Sequence, residues 1–180
     1  EHHDRDAGLG ADLLADVEAV HARQHQVEQD EIGLVVTEDL EGSVDTPLTT
    51  APTKRLAVQP VIVPILRAGL GFVHAAQDLL PNADVGFIGI SRDEETFEPK
   101  PYVNKLPEQL ANRPIIVVDP MLATGGSLVH TVELLLARGA TPPITVVCAL
   151  AAPEGIERLR EANLDLRVIT AAIDDHLNEH

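Results

Sequence analysis

From Val61 onward the chain repeats one pattern: a short apolar run rich in β-branched residues, then a longer segment with helical spacing. The runs VIVPIL (61–66), ADVGFIGI (83–90), PIIVVD (114–119), ITVVCALAA (144–152) and LRVIT (166–170) alternate with GLGFVHAAQDLL (69–80), GGSLVHTVELLLARG (125–139) and PEGIERLREAN (153–163). Strands that read as unbroken apolar runs are buried on both faces, and strands that alternate with helices are joined by crossovers. The pattern therefore predicts an α/β fold: a doubly wound, mainly parallel sheet. Its best-marked helix follows the glycines at 125 and 126. Leu128, Val132, Leu135 and Leu136 recur on one face, Arg138 sits in the last turn, and Gly139 is placed to cap the end. Pro153 suits the first position of the next helix, with Glu154 at the positive end of its dipole.

The rest of the chain is less regular. Residues 11–29 carry Leu13, Leu14, Val17, Val20 and Val27 at helical spacings, which predicts an amphipathic N-terminal helix. His21 and His25 lie one turn apart on it. That spacing can hold a metal, but without a neighbouring carboxylate motif it reads as a solvated polar face. The stretch EDLEGSVDTPLTTAPTKRLAVQP (38–60) reads as a polar connection of turns and short extended pieces. We expect one domain over residues 1–180.

Composition excludes several classes. The net charge of −16, from 29 acidic and 13 basic residues, repels polyanions and argues against a nucleic-acid groove. Any phosphate site must be local. Nothing approaches the roughly 20 apolar residues of a membrane span, and the N-terminus lacks the pattern of a signal peptide. The single cysteine, Cys148, sits in an apolar strand and reads as a small, inert core residue, which suits the cytoplasm. The spacing GxxxxGK[ST] of P-loop kinases and ATPases is absent.

In an open parallel sheet, ligands bind beyond the carboxyl ends of the strands. Three such ends carry polar residues. The first is VVDPMLATGGS (117–127), where a strand delivers Asp119 and a glycine turn opens a helix. Backbone N–H groups there can cradle a phosphate without a lysine, and a Cβ would hold the phosphate off. An acid cannot help to bind phosphate, so Asp119 is best used to accept hydrogen bonds from sugar hydroxyls. The bland reading of this run is a strand-to-helix turn capped by a Thr or Ser. The second end, VPILRAGLG (63–71), holds Arg67 between small residues, where five donors can meet a diphosphate; the alternative is an exposed loop arginine. The third, ISRDEETFEPKPYVNKLP (90–107), places Arg92 before Asp93, Glu94 and Glu95 and reads as a hairpin excursion able to close over a ligand.

Together with AAPEGI (151–156) and TAAIDDHLNEH (170–180), these segments resemble the uracil phosphoribosyltransferases over about Thr46 to His180. The resemblance implies the type I phosphoribosyltransferase fold and transfer of a phosphoribosyl group from 5-phosphoribosyl 1-diphosphate to uracil, giving UMP and diphosphate in pyrimidine salvage. Asp119, Arg67 and Arg92 are the implied catalytic residues. With Pro120, Met121, Leu122, Ala123, Thr124, Gly125, Gly126 and Ser127 they make the implied phosphoribosyl diphosphate site, in which 123–127 hold the 5′-phosphate, Asp119 the ribose, and Arg67 and Arg92 the diphosphate. Other type I members carry a second acid where this chain has Pro120.

The resemblance also implies Mg²⁺ bound mainly through the substrate diphosphate, with no metal ligands from protein side chains. It brings GTP as a candidate effector and a homodimer or higher homo-oligomer as the assembly, although residues 1–30 depart from the family's usual N-terminal arm. Family members continue beyond the NEH motif into a glycine-rich segment that binds uracil. The residues here stop at His180, so none of them is assigned to uracil, and a chain ending there is expected to keep the phosphoribosyl side without base recognition. Two other readings stand beside the enzyme: a non-catalytic or regulatory homologue that binds phosphoribosyl diphosphate or nucleotide, and a relative acting on another base.

Overall fold

The computed structural model describes residues 39–92 and 99–177, which contain ten strands and three helices. The expected helix at 11–29, with His21 and His25, lies outside the described residues, as does the tip of the excursion at 93–98. The larger sheet runs in the order β10 (Leu166–Ile173), β9 (Ile144–Ala151), β7 (Ile115–Val118), β3 (Val61–Leu66), β5 (Phe87–Arg92), β6 (Pro99–Lys105). All neighbours pair in parallel except β5 and β6, which form the expected antiparallel hairpin. Two short strands complete it: β4 (Asp84–Val85) beside β3 and β8 (Met121–Leu122) beside β9.

The apolar runs earn their position by burial. Val61, Ile62, Val63, Ile88 and Val117 are fully buried, as are Leu135 and Ile144. Each such side chain contributes about 1.5–3 kcal/mol relative to exposure. From β3 the chain passes through α1 (Leu70–Leu79) to β4 and β5 on one side of the sheet's midline; from β7 it passes through α2 (Gly126–Ala137) to β9, then through α3 (Pro153–Glu161) to β10, on the other. Right-handed crossovers running in opposite directions put α1 on one face and α2 and α3 on the other, which makes the sheet doubly wound. The direction reverses between β3 and β7. That is the switch point at which open α/β sheets bind ligands.

Helix boundaries follow the sequence signals closely. α2 ends at Ala137 with Arg138 as the capping residue, so the arginine stands one step beyond the last turn. Gly139 follows at φ +87, and the Ala140 N–H reaches back to the Leu135 carbonyl at 3.0 Å, the left-handed glycine closure expected there. α3 starts with Pro153 and carries Glu154 in its first turn.

One expectation needs correction. Residues 38–60 are more than turns and short pieces: β1 (Asp39–Asp45) and β2 (Thr50–Leu56) pair antiparallel over seven residues, from Asp39↔Leu56 to Asp45↔Thr50. The turn is stitched by Thr46, whose hydroxyl accepts the Thr49 N–H at 3.1 Å and donates to the Thr49 carbonyl at 2.6 Å. The hairpin forms a sheet of its own, with Leu48 at its tip 95% exposed. None of residues 40–56 is buried, and β2 is at most half-buried, so the ribbon lacks the apolar runs that announce the larger sheet.

Candidate active site

The two glycines after Thr124 stand in different surroundings. Gly125 caps α2 with φ +76, a left-handed conformation that costs any other residue about 1–2 kcal/mol. A Cβ built on it would meet the Gly155 carbonyl at 3.0 Å and the Arg158 side chain at 3.1 Å, so it would press on α3. Gly126 is open: a Cβ there would find only the Thr124 hydroxyl, at 4.0 Å. Gly125 thus serves the turn and its packing against α3, whereas no close contact demands glycine at 126. α3 backs the loop closely, since a Cβ at Gly155 would collide with the Ala123 carbonyl and the Leu122 side chain.

The N-cap residue of α2 is Gly125, which has no side chain to cap with. A cavity opens at this N-terminal end of α2, the positive end of the helix dipole. That cavity, about 190 Å³, is lined by Asp119, Met121–Gly125, Ser127 and Leu128, with Val146 and Cys148 below. Pro120 does not line it. Its carbonyl instead accepts the N–H groups of Ala149 and Leu150, at 3.0 and 3.1 Å, and ties the loop to β9.

Asp119 follows the last residue of β7, and its N–H donates to the Val147 carbonyl at 3.1 Å. Burial lifts its carboxyl from the usual 3.8 to about 6, against the opposing pull of the Met121 N–H. The Cys148 thiol lies close enough to feel that charge: burial pushes it up, Thr170 and Leu122 hydrogen bonding pull it down, and Asp119 raises it further. Cys148 is buried, as expected of a core residue, yet it also forms part of the cavity wall. Nothing in an apolar strand sequence signals that second property.

Arg67 stands in a neighbouring cleft at the same end of the sheet, with Leu66, Ile90, Ser91 and Tyr102. It is exposed and follows a cis Leu66–Arg67 peptide. Pro64 of β3 pairs with Val118 of β7, and a Cβ at Gly69 would come within 2.5 Å of the Val118 carbonyl. The turn carrying Arg67 therefore packs against the residue that precedes Asp119. Arg92 is the last residue of β5, paired with Pro99. Thus Asp119, Met121–Gly125 and Ser127 share one cavity, Gly126 is not among its lining residues, and Arg67 occupies a separate cleft. The Asp119 carboxylate is the acid of the cavity; among the described residues no group of three or more His, Cys, Asp or Glu could hold a metal. Tyr102 escaped the sequence reading.

Comparison with known proteins places the chain. The uracil phosphoribosyltransferase family model matches residues 31–180. Over 134 residues the chain is 53% identical to the uracil phosphoribosyltransferase of Corynebacterium efficiens, covering 74% of this chain and 63% of that protein. The Corynebacterium diphtheriae protein of the same name is 51% identical over 136 residues, with coverages of 76% and 64%. The chain thus spans a little under two thirds of the length of these curated relatives. Among solved structures, the AQ2163 protein from Aquifex aeolicus superposes with a TM-score of 0.68 at 39% identity, covering 79% of this chain and 68% of that one. A purine phosphoribosyltransferase from Pyrococcus horikoshii shares the fold, with a TM-score of 0.53 at 18% identity and coverages of 66% and 72%. With its mainly parallel α/β sheet and a family match over most of its length, the chain belongs to the uracil phosphoribosyltransferase family.

Proposed function

We propose that this chain carries the phosphoribosyl-transfer core of a uracil phosphoribosyltransferase, joining uracil to 5-phosphoribosyl 1-diphosphate to give UMP and diphosphate. The observation that carries the reading is the glycine turn at the N-terminus of α2, which opens on a cavity whose carboxylate is Asp119. The first-turn N–H groups hold the 5′-phosphate, and the Asp119 carboxylate accepts the ribose hydroxyls. Arg67 and Arg92 meet the diphosphate. As the bond to C1 of the ribose breaks, the sugar becomes oxocarbenium-like and the leaving diphosphate gains negative charge, which the two guanidinium groups stabilise. Holding uracil in line with that bond supplies much of the remaining acceleration.

A single carboxylate is a poor cage for a divalent cation but a fitting partner for one delivered by diphosphate oxygens. Mg²⁺ bound in this way adds charge neutralisation on the leaving group. The resemblance in sequence brings a homo-oligomer, GTP as a candidate effector and a cytoplasmic location as expectations; no helix among the described residues is long and apolar enough to cross a membrane.

The test is UMP formation by the full-length protein from uracil and phosphoribosyl diphosphate, with cytosine and hypoxanthine as competitors. Turnover with uracil preferred supports the reading. Preference for a purine overturns it, and saturable phosphoribosyl diphosphate binding without UMP formation favours the non-catalytic homologue.

A further inference from the structure

The hairpin β5–β6 contains a register shift that brings one side chain to the Arg67 cleft. Gly89 pairs with Val103, but the next residue, Ile90, pairs with Pro101, so Tyr102 is the extra residue of a β-bulge. Bulges bend a strand and re-aim the side chain that they carry. Here the phenol ring comes to lie over Gly89, the strand position that has no side chain to exclude it. A Cβ at Gly89 would stand 2.6 Å from Cζ of the ring and 2.8 and 3.0 Å from its two Cε atoms. It is the hydroxyl-bearing end of the ring, then, that crosses β5. Gly89 pairs on its other side with Leu66, the residue before Arg67.

The ring thus forms a wall of the cleft that holds Leu66, Arg67, Ile90 and Ser91, and it remains 53% exposed. Two hydroxyls line that cleft. Ser91 already donates its proton to the Lys100 carbonyl at 3.2 Å. The Tyr102 hydroxyl has no hydrogen-bond partner among the described residues. A tyrosine held only by its ring and open to solvent contributes little to stability, yet bulge and glycine together fix its direction.

We propose that Tyr102 is a substrate-binding residue of the Arg67 cleft, its phenolic O–H donating to a diphosphate oxygen of the ligand that Arg67 contacts. The proposal rests on the phosphoribosyl-transfer reading above. Arg67 contributes charge and Tyr102 a single directed donor, and the two approach the ligand from adjacent strands, β3 and the β5–β6 hairpin. The 5′-phosphate and ribose lie in the other cavity, out of the reach assigned to Tyr102.

The experiment compares two ligands on the full-length protein by calorimetry: phosphoribosyl diphosphate, and ribose 5-phosphate, which lacks the diphosphate. Tyr102→Phe keeps the ring on Gly89 and removes only the hydroxyl. Loss of one hydrogen bond to a charged group should weaken phosphoribosyl diphosphate binding about 10- to 100-fold. Ribose 5-phosphate binding should stay within about twofold. Gly89→Ala, which keeps the hydroxyl but displaces the ring, should show the same selective loss. Wild-type protein that binds while Tyr102→Phe binds phosphoribosyl diphosphate equally well overturns the Tyr102 assignment alone. Equal weakening of both ligands also overturns it, because the tyrosine would then be acting through the fold. Wild-type protein that binds neither ligand overturns the phosphoribosyl reading itself, and the assignment with it.

Discussion

If Asp119 accepts hydrogen bonds from the ribose, it must do so ionised, and its carboxyl is poised to lose that ability under mild acid. In the free protein burial sets it near 6. At pH 5 only about one molecule in eleven would carry the charge, so affinity through this group should fall about tenfold, or ~1.4 kcal/mol, below its value at pH 8. The phosphates of the ligand also titrate near pH 6 and would bend the curve for either protein. The informative quantity is therefore the ratio of affinities for wild type and Asp119→Asn, measured by calorimetry from pH 5 to 8 at fixed ionic strength. That ratio should be largest at pH 8 and shrink about tenfold by pH 5. Folding stability should move the opposite way. The carboxyl is harder to ionise in the folded chain than in the unfolded one, so its contribution is complete below the unfolded value of 3.8 and is lost as pH rises through about 6. The shift corresponds to about 3 kcal/mol at most, less what solvent screening removes at a partly exposed group. Asp119→Asn should thus be more stable than wild type to urea at pH 8, with the difference fading below pH 4. An affinity ratio that does not change with pH would refute the ionised-acceptor role, and equal stabilities at pH 8 would refute the burial argument.

Three further outcomes are expected. Arg67→Ala should lower kcat/KM by about 2–3 kcal/mol, the worth of a charge-assisted contact strengthened as the leaving group departs, and unchanged kinetics would return Arg67 to the surface. Gly125→Ala should cost at least about 1–2 kcal/mol in urea unfolding, because the left-handed turn is penalised and the new methyl presses on α3; unchanged stability would count against the turn geometry. Arg113→Ala should destabilise by about 1–3 kcal/mol while leaving ligand affinity unaltered, and a loss of affinity would show that the two ends of the sheet are coupled.

The sheet and its helices were legible because burial on both faces leaves an unmistakable trace. Val61–Leu66 and Ile115–Val118 can be read as strands since nearly every side chain must be apolar. The turn that opens α2 was legible because Gly125 and Gly126 break the apolar pattern just ahead of the helix. The hairpin β1–β2 left no such trace, because none of its residues from 40 to 56 is buried. Tyr102 was hidden for another reason: its direction depends on a one-residue shift between two strands, and Gly89 announces itself only once Val103 and Pro101 are known to be the residues across from it. The glycines show the remaining gap. Sequence assigned both to phosphate approach and gave no sign that the Cβ Gly125 lacks would also press on α3, a contact with a helix some thirty residues further along the chain.

Arg113 sits at the end of the sheet away from the ligand. It donates to the Gln59 and Pro60 carbonyls at 3.0 and 3.1 Å and to Asp84 at 2.7 Å, gathering the starts of β3, β4 and β7, while the adjoining Asn112 N–H is held by the Thr141 hydroxyl at 3.0 Å. Its work is masonry rather than chemistry, and that division has a practical use. A dye, a surface linker or a fused reporter attached near Glu108–Asn112 would sit at the far end of the strands from both clefts. It could report on the protein without standing in the path of anything that binds.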